Sequence, residues 1–292
     1  MRPSARFAGT DLLIQAFPGP DHVQHYAALI STHLKITGAA EAAKRVFYAP
    51  SSFSDTVQAL VEETNLLKMP RTDTVVIGLV HRLEPLTGPR TVYRGDANDA
   101  FAWTVRRNPQ TGHTITFLGC RFSFWGSIAG DLVRVLANRL GAQRVVYLGK
   151  LGVTDPSIVP NQCLASGNYS EVRGRDIYWD NILGPSLSSY AGPTRIILGR
   201  HETVPSVLYE TKEWLADTKV RGNLFVDPEV GCMAAAAREC GIGFGYLHVI
   251  SDNVAKKYDE DLSNERETSV LTGRAHLYQE VNSILGGYLM SL

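Results

Sequence analysis

The stretch from residue 114 to 148 limits the fold more than any other part of the chain. Residues 114–119, TITFLG, read as a strand, and residues 120–126 as a loop. From about Ser127 to Leu140 the apolar residues Leu132, Val133, Leu136 and Leu140 recur on one face, at the spacing of an amphipathic helix. Gly141 stops that helix as a C-cap, and residues 144–148, RVVYL, form a buried strand. Strand, helix and strand with short joins predict a parallel βαβ unit, hence an α/β fold.

The same order returns near the C-terminus. Residues 223–226 read as a strand, and residues 229–240 as an Ala-rich helix closed by Gly241. Residues 244–250 form an apolar strand running into Ser251-Asp252-Asn253, and a last helix covers residues 264–290. Upstream, residues 12–16 read as a strand, 17–20 as a Pro-Gly turn, and a helix capped by Asp21 runs to about Lys35. Residues 45–49 read as a strand, 50–55 as a Ser-rich turn, 56–67 as a helix and 75–80 as an apolar strand. The expectation is a single α/β domain over residues 42–292, with a central mixed, mostly parallel twisted sheet flanked by helices. Residues 1–41 are an N-terminal extension.

Composition narrows the function. The 292 residues carry 29 basic and 29 acidic side chains, for a formal net charge of zero. A duplex binder needs a basic excess against phosphates, so nucleic acid is not the expected partner. No apolar run reaches the ~18–20 residues that span a bilayer, and no apolar segment of signal-peptide type follows Arg2 and Arg6. The expectation is a cytoplasmic protein with no membrane partner. Cys120, Cys163, Cys232 and Cys240 form no C-x-x-C pair and read as buried thiols. His22 and His25 share a helix face without a third ligand in sequence context, so no metal is expected. Gly241-Ile242-Gly243-Phe244-Gly245 imitates a dinucleotide fingerprint, but it follows a helix and precedes a strand, the reverse of a Rossmann turn.

In open α/β sheets, ligands gather at the carboxyl ends of strands. Three such ends are polar or glycine-rich here: Gly149-Lys150-Leu151-Gly152, Asp227-Pro228-Glu229, and Ser251-Asp252-Asn253. Taken alone, Glu229 is a helix-start acid favoured by the dipole, Asp252 a loop-capping residue and Lys150 a solvent-facing loop cation. Arg121, after the strand 114–119, either enters a pocket or pairs with an acid. Gly126 fits close approach to a ligand or a plain turn.

Together the three strand ends resemble the nucleoside phosphorylase and nucleosidase superfamily, which includes purine nucleoside phosphorylases, uridine phosphorylases and methylthioadenosine nucleosidases. Its members carry a strand ending in Gly-Ser/Thr-x-Gly, a Glu-Met-Glu-Ala-Ala helix start and a strand ending in Val-Ser-Asp. The chain offers Leu148-Gly149-Lys150-Leu151-Gly152, Val226-Asp227-Pro228-Glu229 and Ile250-Ser251-Asp252 in the same order, and residues 155–168 read like the segment after the glycine turn. The resemblance covers residues 114–292.

That resemblance implies cleavage of the N-glycosidic bond of a purine-type nucleoside or related ribosyl compound, by phosphorolysis or hydrolysis. The transition state is oxocarbenium-like. The resemblance puts Glu229 on the ribose hydroxyls and Asp252, oriented by Ser251, at the departing base, where a carboxyl with a raised pKa supplies the proton. It implies a substrate pocket from Gly149, Gly152 and Pro228, which Arg121 joins if it turns inward, and a base-stacking ring at Tyr209 or Phe225. It further implies a homo-oligomer (dimer, trimer or hexamer), a small nucleoside-like partner and no cofactor, with inorganic phosphate as an optional co-substrate.

Two departures matter. Lys150 stands where phosphorylases have a phosphate-binding Ser or Thr, and Tyr147 where they have an Arg three residues earlier. A Lys there could hold phosphate, hold a substrate carboxylate, or act as acid, base or nucleophile. Pro228 replaces the family's Met. Ser51 and Ser52, at a Ser-rich helix start, are the candidate anion loop, and Phe17-Pro18-Gly19-Pro20-Asp21-His22 resembles the family's Pro-Gly-Asp-Pro loop but lies far upstream. No Glu near the first strand stands where the family's hydrolases activate water. The alternative is a non-catalytic or repurposed member that binds a nucleoside-like or anionic ligand, or runs a different reaction through Lys150.

Overall fold

Strand Arg144–Val153 is the axis of the molecule. Its side chains alternate: Val145 and Tyr147 enter one apolar core with Leu132 and Met233, while Val146 and Leu148 enter a second with Leu247 and Leu285. A strand buried on both faces is what a continuous apolar run demands, so helices must cover both sides. Helices Ser127–Leu140 and Val230–Glu239 pack together on one face, and Ala275–Met290 covers the other. The computed structural model describes residues 3–88, 93–260, 264 and 266–292.

Among the described residues, eleven strands make one mixed sheet. The axial strand is parallel to Thr74–Gly78 on one edge and to Gly243–Asn253 on the other. Past Leu148 the first edge changes partner: Gly152 and Val153 pair antiparallel with Val226 and Phe225 of strand Phe225–Asp227. Gly78 marks the parting point. Its φ is +108°, and a Cβ there would lie 2.0 Å from the Leu148 carbonyl oxygen, so only glycine ends the strand this way. Beyond it the sheet splits and a cavity opens at the strand ends.

Several expectations are met closely. Helix Ser127–Leu140 has the predicted bounds, and Gly141 closes it in the left-handed region at φ 75°. Strands Thr114–Cys120, Phe225–Asp227 and Gly243–Asn253 lie where sequence put them, the last extended by three residues at its C-terminal end. Other expectations are corrected. Residues 45–49 form no strand: Phe47 is 85% exposed, and a strand without a ladder partner has nothing to hold it. The final helix is two, Thr268–Gly273 and Ala275–Met290, while Glu265 in the predicted span, like Met1 and Arg2, lies outside the described residues.

Asp21 does not cap its own helix, Pro20–Ile36, which starts behind Gly19 without a side-chain cap. Its Oδ2 instead accepts the Ser127 N–H at 2.9 Å, capping the helix Ser127–Leu140 from 106 residues away, and its other oxygen pairs with Arg173. Gly126, at φ +69°, makes room: a Cβ there would sit 2.6 Å from that of Asp21. Before this helix, strands Ser4–Ala8 and Asp11–Gln15 form a separate, exposed antiparallel hairpin. No helix among the described residues is long and apolar enough to cross a membrane.

Candidate active site

The cavity at the split has a volume of about 560 Å3. Seven residues singled out from sequence line it: Gly149, Lys150, Gly152, Pro228, Glu229, Ser251 and Asp252. Three strand ends far apart in the chain supply them, because the axial strand pairs with both of the others.

Beneath the cavity lies a buried polar chain. Asp227 Oδ1 accepts the backbone N–H groups of Glu229 and Val230, each at 2.9 Å, at the start of helix Val230–Glu239. His201 Nε2 lies 3.1 Å from Oδ1 and His248 Nε2 3.4 Å from Oδ2, and both histidines are fully buried. The Gly149 N–H donates to His248 Nδ1 at 3.2 Å, so that nitrogen carries a lone pair and Nε2 carries the proton facing Asp227. His201 Nδ1 meets the Ser170 hydroxyl at 3.0 Å. Burial alone would raise the Asp227 pKa. The two imidazoles outweigh it and hold the carboxyl well below its ordinary range.

Glu229, two residues on, behaves oppositely. Its carboxyl faces the cavity, hydrogen-bonded by the Tyr147 hydroxyl with Lys150 nearby. Burial and the Asp227 charge raise its pKa well above normal, against the smaller opposing effects of Tyr147 and Lys150. Glu229 therefore keeps its proton to higher pH than a free glutamate. Tyr147 is raised as well, by burial and then by Glu229, so it remains a phenol that donates.

On the facing wall, the Ser251 hydroxyl donates to Asp252 Oδ1 at 2.7 Å. A Cβ at Gly152 would come within 3.0 Å of the other Asp252 oxygen, so this wall is built close. Glu210 also lines the cavity, and burial, then Asp252 and Asp227, push its pKa up to about 8. Phe124 and Trp125 supply aromatic wall from the loop after strand Thr114–Cys120. Among the described residues, no group of three or more His, Cys, Asp or Glu side chains could hold a metal ion.

Five residues named from sequence fall outside the cavity. Phe225 is fully buried in the core, because side chains alternate along its strand and Val226 faces the cavity instead. Tyr209 is exposed, its hydroxyl accepting from Gln24 of helix Pro20–Ile36 at 3.3 Å. Ser52 caps helix Phe53–Glu62 in a reciprocal capping box with Asp55, and neither it nor Ser51 reaches the cavity. Arg121 is exposed beside the cavity, its guanidinium donating to the carbonyls of Gly95 and Asp96.

Sequence reasoning missed His201, His248 and Glu210, and left Asp227 and Tyr147 without roles. One signal was available: His248 interrupts the apolar run of residues 244–250, and a polar side chain there must find a buried partner. Nothing local marked Glu210.

No family model matches the chain. Among curated proteins it is similar to a protein named oxidoreductase cns1 from Cordyceps militaris, with 23% identity over 239 residues, 77% of this chain. The match spans only 29% of that relative's length. Among solved structures, a Vibrio fischeri uridine phosphorylase superposes with a TM-score of 0.59 at 14% identity, over 76% of this chain and 93% of the other. A methylthioadenosine/S-adenosylhomocysteine nucleosidase from Campylobacter jejuni gives 0.59 at 13% identity, over 76% and 100%. The chain has the fold of these phosphorylase and nucleosidase structures. A futalosine hydrolase from Helicobacter pylori, at TM-score 0.58 and 14% identity over 76% and 98%, shares this phosphorylase fold. Gly241–Gly245 of the chain occupies a helix-to-strand join within it, not a dinucleotide turn.

Proposed function

We propose that the cavity binds a purine-type ribosyl compound and cleaves its N-glycosidic bond. The observation that carries this reading is the meeting of Glu229, Lys150 and Asp252 around one cavity large enough for a nucleoside. Glu229 accepts hydrogen bonds from the ribose hydroxyls and, once ionised, offsets the positive charge that develops at C1′. The C1′–N bond breaks with its electron pair leaving on the base. Asp252, held by Ser251, places a proton on a nitrogen of that base. Phosphate then bonds to C1′ through one oxygen, or water does so and releases a proton to solvent, with Lys150 as the cation that steadies an incoming or resident anion. Phe124 and Trp125 are the base-stacking surfaces, in place of Tyr209 and Phe225.

A second reading, binding without turnover, is favoured by the hold that burial and the Asp227 charge give Glu229 on its proton and by the rigid Pro228 beside it. A nucleoside panel assayed with and without phosphate separates the outcomes. Base release only with phosphate identifies a phosphorylase, and release without it a nucleosidase. Thermal stabilisation by a nucleoside with no release at all overturns catalysis in favour of binding.

The same reading treats residues 1–41 as an appendage to the domain over 42–292. It also expects a homo-oligomer, which light scattering on the full chain would test.

A further inference from the structure

A second depression, of about 470 Å3, adjoins the cavity, with Cys120, Phe122 and Ser123 lining both. Its other walls include His22 of helix Pro20–Ile36 and the guanidinium-bearing residues Arg121 and Arg266. Arg121 is tethered by two neutral backbone carbonyls, which orient it and leave its charge intact.

His22 is the informative group. It is only 4% exposed, and its Nδ1 lies 3.2 Å from the Phe17 carbonyl oxygen. A carbonyl only accepts, so Nδ1 carries the proton and Nε2 a lone pair. That Nε2 is buried with no hydrogen-bond partner. Burial lowers the imidazole pKa, which keeps the ring neutral near pH 7. Buried polar atoms are normally satisfied, so an orphaned acceptor on a residue that walls a depression points to a ligand that brings a proton. The His22 ring also lies 5.0 Å from that of Trp125, a wall of the main cavity.

One acceptor beside two guanidinium groups matches few ligand groups. A carboxylate satisfies the arginines but brings no proton to Nε2. A phosphomonoester satisfies both: its oxyanions suit guanidinium forks, and its second proton, with a pKa near 6, can sit between phosphate and imidazole. We propose that this depression is a subsite for a phosphoryl group of the bound ligand, so that the substrate class is nucleotide-like. The assignment rests on the ribosyl reading of the main cavity.

Calorimetry on the full chain with adenosine, adenosine 5′-monophosphate, ribose 5-phosphate and inorganic phosphate tests it. The monophosphate should bind at least ~10-fold tighter than adenosine, about the worth of one charge-assisted contact pair. Arg121→Gln and Arg266→Gln should each cut that ratio several-fold. Both residues are exposed, so folding is not at risk. Equal affinities in the wild type, or a ratio that neither variant changes, overturn the proposal. So does inorganic phosphate binding as tightly as ribose 5-phosphate and losing affinity in the same variants, since the site would then hold the free ion. Ribose 5-phosphate has no base to lose. If its binding and that of the monophosphate depend on the arginines while no nucleoside or nucleotide is cleaved, the glycosidic reading fails and the subsite stands.

Discussion

Two carboxyl groups two residues apart meet opposite fates. Asp227, in the floor, is surrounded by donors: two backbone amides at 2.9 Å and two imidazole nitrogens at 3.1 and 3.4 Å. Glu229, at the cavity, has one phenol, one ammonium in its neighbourhood and the Asp227 charge behind it. Low dielectric penalises both charges, and the count of donors decides which survives. The floor therefore holds a fixed negative charge, while the cavity holds a carboxyl that can take up or release a proton. A motif with two acids is thus not two equivalent acids.

The largest effect should come from the cavity side. On the proposed glycosidic reading, Glu229→Gln removes the charge that meets the developing cation, so kcat/KM should fall by at least ~10²-fold with the melting temperature little changed. Steady-state kinetics beside a thermal melt checks both. Wild-type rates in this variant would remove Glu229 from sugar binding and leave the contrast with Asp227 without functional meaning.

Glu210 extends the contrast to stability. Its folded pKa of about 8 lies above the ordinary 4.5, so the folded state holds that proton more tightly than the unfolded chain. Stability is then lost as pH rises from the unfolded value through the folded one. Glu210→Gln, which cannot ionise, should match the wild type at pH 4 and exceed it at pH 8.5 by on the order of 2 kcal/mol, allowing for partial solvent contact. Urea midpoints at the two pH values decide it. An equal gap at both would mean the carboxyl is not held neutral.

Asp227→Asn tests the coupling between floor and cavity. Without the like charge, Glu229 should ionise more easily, and the rise of kcat/KM with pH should move to lower pH. A pH–rate profile from 5 to 9 reads the shift. If the curve keeps its position, the floor charge does not reach the cavity. The floor has its own signature in the wild type. A carboxyl with a depressed folded pKa stabilises fully above the ordinary Asp value, and that stability fades as pH falls through the lower folded one.

These contrasts also mark what a sequence reader can reach. Helix Ser127–Leu140 was legible to the residue because periodicity and Gly141 act within one turn of the chain. The strand ends bearing Lys150, Glu229 and Asp252 were legible because ordered motifs coincide with the places where α/β sheets open. The floor was not, since His201, Asp227 and His248 come from three strands and only pairing brings them together. Asp21 shows the same limit. Its local reading as a cap for its own helix was outweighed by a helix start 106 residues away. At residues 209 and 210 the aromatic side chain drew attention, yet the single turn Val207–Tyr209 leaves Tyr209 exposed and Glu210 lining the cavity. Which of two neighbours faces inward depends on where a short turn begins, and no local pattern fixes that.

The smallest expected effect belongs to Lys150, and it sharpens the contrast from the cation's side. Lys150 opposes the pKa rise of Glu229, but it is the last of the causes acting there, behind burial, Asp227 and Tyr147. Its removal should therefore move the pH profile only slightly, in the direction of a still higher Glu229 pKa. Its main work would be on anions. Lys150→Ser should raise the phosphate concentration needed for half-maximal rate, or the KM of an anionic substrate, several-fold while leaving kcat for a neutral nucleoside nearly intact. Rates measured across a phosphate series with wild type and variant separate the two effects. If kcat collapses instead, the ammonium takes part in the bond-breaking step, and the chemistry is the altered one that a lysine in the glycine turn allows. If nothing changes, Lys150 is a bystander, and the donors of the cavity reduce to Tyr147 and the protonated carboxyls around it.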